Sequence, residues 1–154
     1  MAATSVFRPG QTVISTAPGL PLATLEAVVD PATPVRAMPI SCAALNQSPT
    51  LLYPDNPAAG AHFGLLGHVH LLPDEARFAP ASVIAAFYGW VYALLAETVA
   101  WTVRSGVPAQ TARSLVLETV GGAVNMALSQ PDEDLASMLD TLATPGGITE
   151  YLSL

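Results

Sequence analysis

Three histidines, His62, His68 and His70, lie close together in the first half of the chain, and alternation along a strand puts His68 and His70 on one face. A zinc site could use such a pair. It also needs Cys or carboxylate ligands at short spacing, and none accompany them, so no metal site is expected and the histidines read as polar residues of a half-exposed strand. The single cysteine, Cys42, has Ile40 and Ala43 as neighbours and no cation in sequence to favour a thiolate, which predicts a buried, inert thiol. Asp132, Glu133 and Asp134 precede a helical pattern and suit the positive end of its dipole better than an acid–base pair. Gly60, Gly64 and Gly67 in GAHFGLLG lack the Gly-x-Gly-x-x-Gly spacing of a dinucleotide loop and fall in a helix before a strand, where they serve packing. No Ser–His–Asp arrangement follows from spacing, so no catalytic residue is assigned. Near the C-terminus, Ala143-Thr144-Pro145-Gly146-Gly147 interrupts the last helix. It is either an ordinary terminator or the backbone part of a site completed elsewhere.

These residues must be held by a chain of 154 residues, half of them apolar, enough for a real core. The formal charge of -7 sets twelve carboxylates against five cations, all arginine: Arg8, Arg36, Arg77, Arg104 and Arg113. Without lysine there is no Schiff base and no phosphate-loop lysine, and without a basic patch nucleic acid is excluded as a partner. Only 11% of residues are charged, against about 25% in an average domain, so much of the surface is expected to be covered, most simply by a second copy. One cysteine precludes an internal disulfide and agrees with a reducing, cytoplasmic setting; MAATSVFRPGQ has neither the basic nor the apolar part of a secretion signal.

The first half alternates strand-like and helix-like runs: QTVIST as a buried strand, PLATLEAVV as a helix with Leu22, Leu25 and Val29 on one face, then VRAMPI, TLLYP, helical PAAGAHFGLL, and HVHLLP. This predicts an α/β layer with a largely parallel sheet over 1–76. Residues 77–154 are expected to be all-helical. The first helix should stop near Ser105-Gly106, a second should run from Pro108 to about Gln130, and a short third should begin at Pro131-Asp132-Glu133-Asp134. Gly121-Gly122 inside the second helix costs about 1 kcal/mol per glycine relative to alanine, which predicts close approach by another helix or a ligand.

FAPASVIAAFYGWVYALLA carries no charge and would span roughly 30 Å as a helix, the thickness of a bilayer core. A membrane span is therefore one alternative. Against it, Glu97, Thr98, Thr102 and Arg104 continue the same helix, and no basic cluster sets an orientation. A helix buried between two subunits is favoured, since one chain of this length cannot surround a helix that is apolar on all sides.

Several stretches together resemble the pyrroline-5-carboxylate reductases, NAD(P)H-dependent enzymes of the last step of proline synthesis. FRPGQTVISTAPGLPLATLE looks like a strand and loop of that family, and VRAMPISCAAL is similar to its Arg-x-Met-Pro-Asn-Thr-Pro segment. GVPAQTARSLVLETVGGAVNMAL looks like a helix of the family, and ATPGGIT resembles its Ser-Pro-Gly-Gly-Thr-Thr signature. The resemblance implies a partial Rossmann-like sheet followed by a helical dimerisation domain, with NADP or NAD as the family's cofactor. It places Met38, Pro39 and Ser41 beside the cofactor, and Thr119, Thr144, Gly146, Gly147 and Thr149 beside the substrate. It also implies a chain shortened at both ends, starting after the glycine fingerprint and therefore silent alone, or else a non-catalytic module that pairs with a related subunit. Two departures bear on the site. Ile40 stands where the family has Asn, and Ile84-Ala85-Ala86-Phe87-Tyr88 stands where Ser-Gly-Ser-Gly-Pro offers amides to a substrate carboxylate.

Overall fold

The computed structural model of this chain describes residues 6–142 and Gly147. The elements are β1 (Thr12–Ser15), α1 (Leu22–Val29), β2 (Thr33–Met38), β3 (Thr50–Tyr53), α2 (Pro57–Gly64), β4 (Val69–Leu71), α3 (Phe78–Arg104), α4 (Ala109–Ser129) and α5 (Leu135–Leu142). An α/β part is thus followed by an all-helical part, as the sequence predicts. The contacts form two compact units, Met1–Trp90 and Val91–Leu154, so α3 belongs to the first through Trp90 and to the second from Val91.

In the first unit the strands lie in the order β1-β2-β3-β4. The β1–β2 and β3–β4 ladders are parallel and the β2–β3 ladder is antiparallel, which makes the sheet mixed. The reversal follows from chain length. Residues 39–49 hold only a 3-10 turn, Ser41–Leu45, closed by Asn46 at φ 56, and a parallel return would need a longer crossover. One face of the sheet packs Val35, Ala37 and Leu52 against Ala59 and Phe63 of α2. A second cluster joins Leu25 and Val29 of α1 to Ala32, with Phe7, Val13 and Leu20 at its margin.

Local chemistry sets the element ends. The Asn56 side chain accepts from Ala59 N at 2.9 Å and Pro57 pre-sets the first turn of α2. Gly67, at φ +140, approaches Ser48 so closely that any Cβ there would overlap the Ser48 backbone. Helix α3 ends on Gly106 at φ +97, where Gly106 N donates to Val103 O and Val107 N to Thr102 O, the paired bonds of a Schellman cap. In α5, Asp134 Oδ2 accepts from Ala136 N and Ser137 N, the N-terminal role expected of this acidic run.

Three expectations need correction. β1 is half-buried rather than buried, because it is an edge strand. Cys42 is not buried: it sits part-exposed on the 3-10 turn, with Sγ donating to Gln47 O at 3.1 Å. Of the three glycines read as packing features, Gly67 makes the close approach; Gly60 has only ordinary contact with Leu52, and Gly64 faces open space. Gly121 and Gly122, where a second helix or a ligand is expected, face open space among the described residues of the single chain.

Candidate functional site

Strand register builds the floor of a cavity in the first unit. Met38 of β2 pairs with Leu51 of β3, and Leu51 pairs with His70 of β4, so the three side chains form one row across the sheet. Ile40 and Pro49 extend this floor, and Ala81, Ser82, Ile84 and Ala85 of α3 form the opposite wall. Its volume is about 200 Å³, and it opens to solvent where Pro49, His70 and Ile84 are exposed. His68 lies beside His70 with ring centroids 4.7 Å apart, both exposed, consistent with a half-exposed strand. Among the described residues no cluster of three or more His, Cys, Asp or Glu could hold a metal ion.

The floor is tied at its edge by buried hydroxyls. Ile40 N donates to Ser48 Oγ at 2.9 Å, Ser48 Oγ lies 3.1 Å from Thr50 Oγ1, and Ser48 N donates to Leu66 O at 2.8 Å. Ser48 and Thr50 are fully buried, and these bonds satisfy groups that would otherwise be costly to desolvate.

Beside the cavity, Arg36 links the sheet to the start of α3. It is a charged residue in the middle of an apolar strand and only 5% exposed. Its Nη1 donates to Glu75 Oε1 at 2.7 Å, its Nη2 donates to Pro18 O at 2.6 Å, and its guanidinium carbon lies 4.0 Å from the centre of the Phe78 ring. Glu75 Oε1 also accepts from Leu22 N at 2.6 Å, capping the first free amide of α1. The Leu22 amide, and then Arg36, hold the Glu75 carboxyl below the usual carboxylate range against the opposing effect of partial burial. Sequence reasoning saw Arg36 only as part of a motif and missed its partner. A lone arginine inside an apolar strand was the available signal, since such a charge requires an acceptor.

The residues expected beside a cofactor are only partly brought together. Met38 lines the cavity, whereas Pro39 is half-buried without lining it and Ser41 is exposed at the start of the 3-10 turn. None of the three carries a charge that could meet a cofactor's phosphates. Among the residues expected beside a substrate, Thr119 lies in the second unit, in a groove lined by Leu94, Leu95, Thr98, Thr102, Leu115, Val116 and Val120. Gly147 forms a bend, and Thr144, Gly146 and Thr149 lie outside the described residues. The divergent stretch, by contrast, meets the motif: Ile84 and Ala85 face the cavity with Met38 and Ile40.

The pyrroline-5-carboxylate reductase dimerisation family matches residues 76–151. The curated pyrroline-5-carboxylate reductase of Pseudomonas aeruginosa is 31% identical over 153 residues, covering 94% of this chain and 56% of that protein. The chain therefore spans a little over half the length of this relative. Among solved structures, Plasmodium falciparum pyrroline carboxylate reductase with NADP bound has a TM-score of 0.82 at 23% identity, covering 91% of this chain and 58% of that one. A 1-pyrroline-5-carboxylate reductase from Streptococcus pyogenes gives 0.80 at 23% identity, with 92% and 57% covered. At such identities the two structures establish the shared fold.

Proposed function

We propose that this chain is a divergent relative of the pyrroline-5-carboxylate reductases and that its 154 residues act as the association part of such a reductase, pairing with a second copy through α3 and α4. The parent chemistry would be hydride transfer from NADPH or NADH to a cyclic imine, with this chain silent when alone. The observation that carries the proposal is the family match over 76–151, which falls on helices with unpartnered apolar faces. Ile84, Phe87, Trp90, Leu94 and Trp101 recur along α3 and are exposed in the single chain, Trp90 and Leu94 each at 66%. An apolar surface of this extent marks an association face. Residues 1–76 would form the partial cofactor domain and 77–154 the dimerisation domain, in the cytoplasm, where the single free Cys42 is compatible with a reducing setting.

Two other readings rest on the same helix. Pairing with a longer related subunit would cover the same face. A membrane span is also compatible with Glu75–Arg104, which is long and apolar enough to cross a bilayer and is 6% buried in its most apolar window. Light-scattering mass of the purified chain without detergent, combined with NADPH titration, separates these readings. A soluble dimer without NADPH binding is expected. A monomer that associates only with a longer reductase subunit would favour the second reading, and a need for detergent the third. Turnover of pyrroline-5-carboxylate by the chain alone would refute silence.

A further inference from the structure

The cavity over the Met38–Leu51–His70 row has a chemistry of its own. Of its lining residues only His70 and Ser82 carry polar side-chain atoms, and Ser82 Oγ already donates to Phe78 O at 2.6 Å. Among the described residues no cation lines it, and Arg36 of the same strand commits Nη1 to Glu75 and Nη2 to Pro18 O. Ile84 and Ala85 lie inside the body of α3, where each amide bonds to the carbonyl one turn earlier, so neither has a free N–H to offer. A carboxylate entering here would lose part of its hydration and meet at best one imidazole, which is unfavourable. An uncharged ring would bury apolar surface without that loss. The volume suits a small ring: about 150 Å³ is enough to hold benzene, and this open cleft offers about 200 Å³.

We propose that this cavity binds a small, uncharged cyclic molecule, with the His70 imidazole as its single hydrogen-bonding partner, and that it discriminates against carboxylates. Within the reductase reading this corresponds to a cyclic imine without a carboxylate, but the cavity's selectivity does not depend on a bound cofactor.

The test uses two probes of nearly equal shape and opposite charge state, cyclopentyl methyl ketone and cyclopentanecarboxylate, at pH 8, where the acid is ionised. Each is titrated into the full chain while methyl NMR signals of Ile40, Leu51 and Ile84 are followed. The ketone is expected to shift these signals and to bind at least about tenfold tighter than the carboxylate. Ala85→Phe, which fills the cavity, should abolish the response. Equal or tighter carboxylate binding, no response of these methyls to either probe, or a ketone response that survives in a folded Ala85→Phe variant would overturn the proposal. A ketone response in a chain that shows no NADPH binding still supports the cavity's selectivity, so failure of the reductase reading is read out separately.

Discussion

Replacing Glu75 with alanine would strand the Arg36 guanidinium. That side chain is 6% exposed, its Nε has no hydrogen-bond partner among the described residues, and Glu75 supplies its carboxylate. The same carboxylate oxygen caps Leu22 N, so the change also leaves a helix amide open. Removing one partner of a fully buried pair costs roughly 3–5 kcal/mol; because Glu75 is a third exposed, water can refill part of its place, and about 2–3 kcal/mol is expected. Glu75→Gln keeps an acceptor for both Leu22 N and Arg36 and should cost only about 1 kcal/mol. Arg36→Met removes the buried charge while its apolar stem still covers Phe78, and should fall between the two, at about 1–2 kcal/mol. Urea unfolding followed by far-UV circular dichroism at one fixed protein concentration gives the order, since association shifts the midpoint. If Glu75→Ala proved no more destabilising than Glu75→Gln, Arg36 would not depend on this carboxylate and the account of the link would fail. The same pair predicts a pH dependence. Because the folded-state pKa of Glu75 is depressed, its contribution is complete above the ordinary glutamate value of about 4.3 and is lost as pH falls through that value and then the lower folded one. Glu75→Gln should flatten the stability profile in this acidic window.

Gly67→Ala should destabilise the first unit by about 2 kcal/mol or more, since the residue is at φ +140 and its Cβ would overlap backbone; Gly64→Ala, beside open space, should stay within about 0.5 kcal/mol in the same urea assay. Leu52→Ala should cost about 3 kcal/mol, because Leu52 is 2% exposed at the centre of the larger core cluster. Trp90→Asp and Leu94→Asp should each yield a folded monomer by light scattering. Both positions are exposed within one chain, so the charge opposes association without being buried in the fold. A dimer unaffected by both changes would remove α3 from the association face.

The helical part was largely legible because its punctuation is local: Gly106 and Pro108 bound α3 and α4, and Asp134 starts α5. The helix α2 was legible for the same reason, through Asn56-Pro57. Strand order and register were not, because they depend on contacts remote in sequence. Nothing in VRAMPI indicates that Met38 pairs with Leu51 and through it meets His70, although a polar, half-exposed strand was the correct reading for the histidine itself. Arg36 and Glu75 are 39 residues apart, beyond any local pattern. Cys42 misled because apolar neighbours in sequence do not guarantee burial on a 3-10 turn. The motif resemblance did bring Met38 and the Ile84–Tyr88 stretch into consideration for one site, and Ile84 and Ala85 share the cavity with Met38.

The hydroxyl of Ser48 fixes Ile40, and through it one margin of the cavity, before any ligand arrives. A binding wall left free to move must surrender backbone freedom when it closes, on the order of 1–2 kcal/mol for each residue ordered. Here that loss is incurred during folding, in a segment clamped by Thr50, Leu66 and the bare backbone of Gly67. Even weak contacts from a small ring can therefore register as affinity. Ser48→Ala would leave the cavity's apolar lining intact and still blunt its response, because the Ile40 amide would lose its acceptor and the rim would become a moving part.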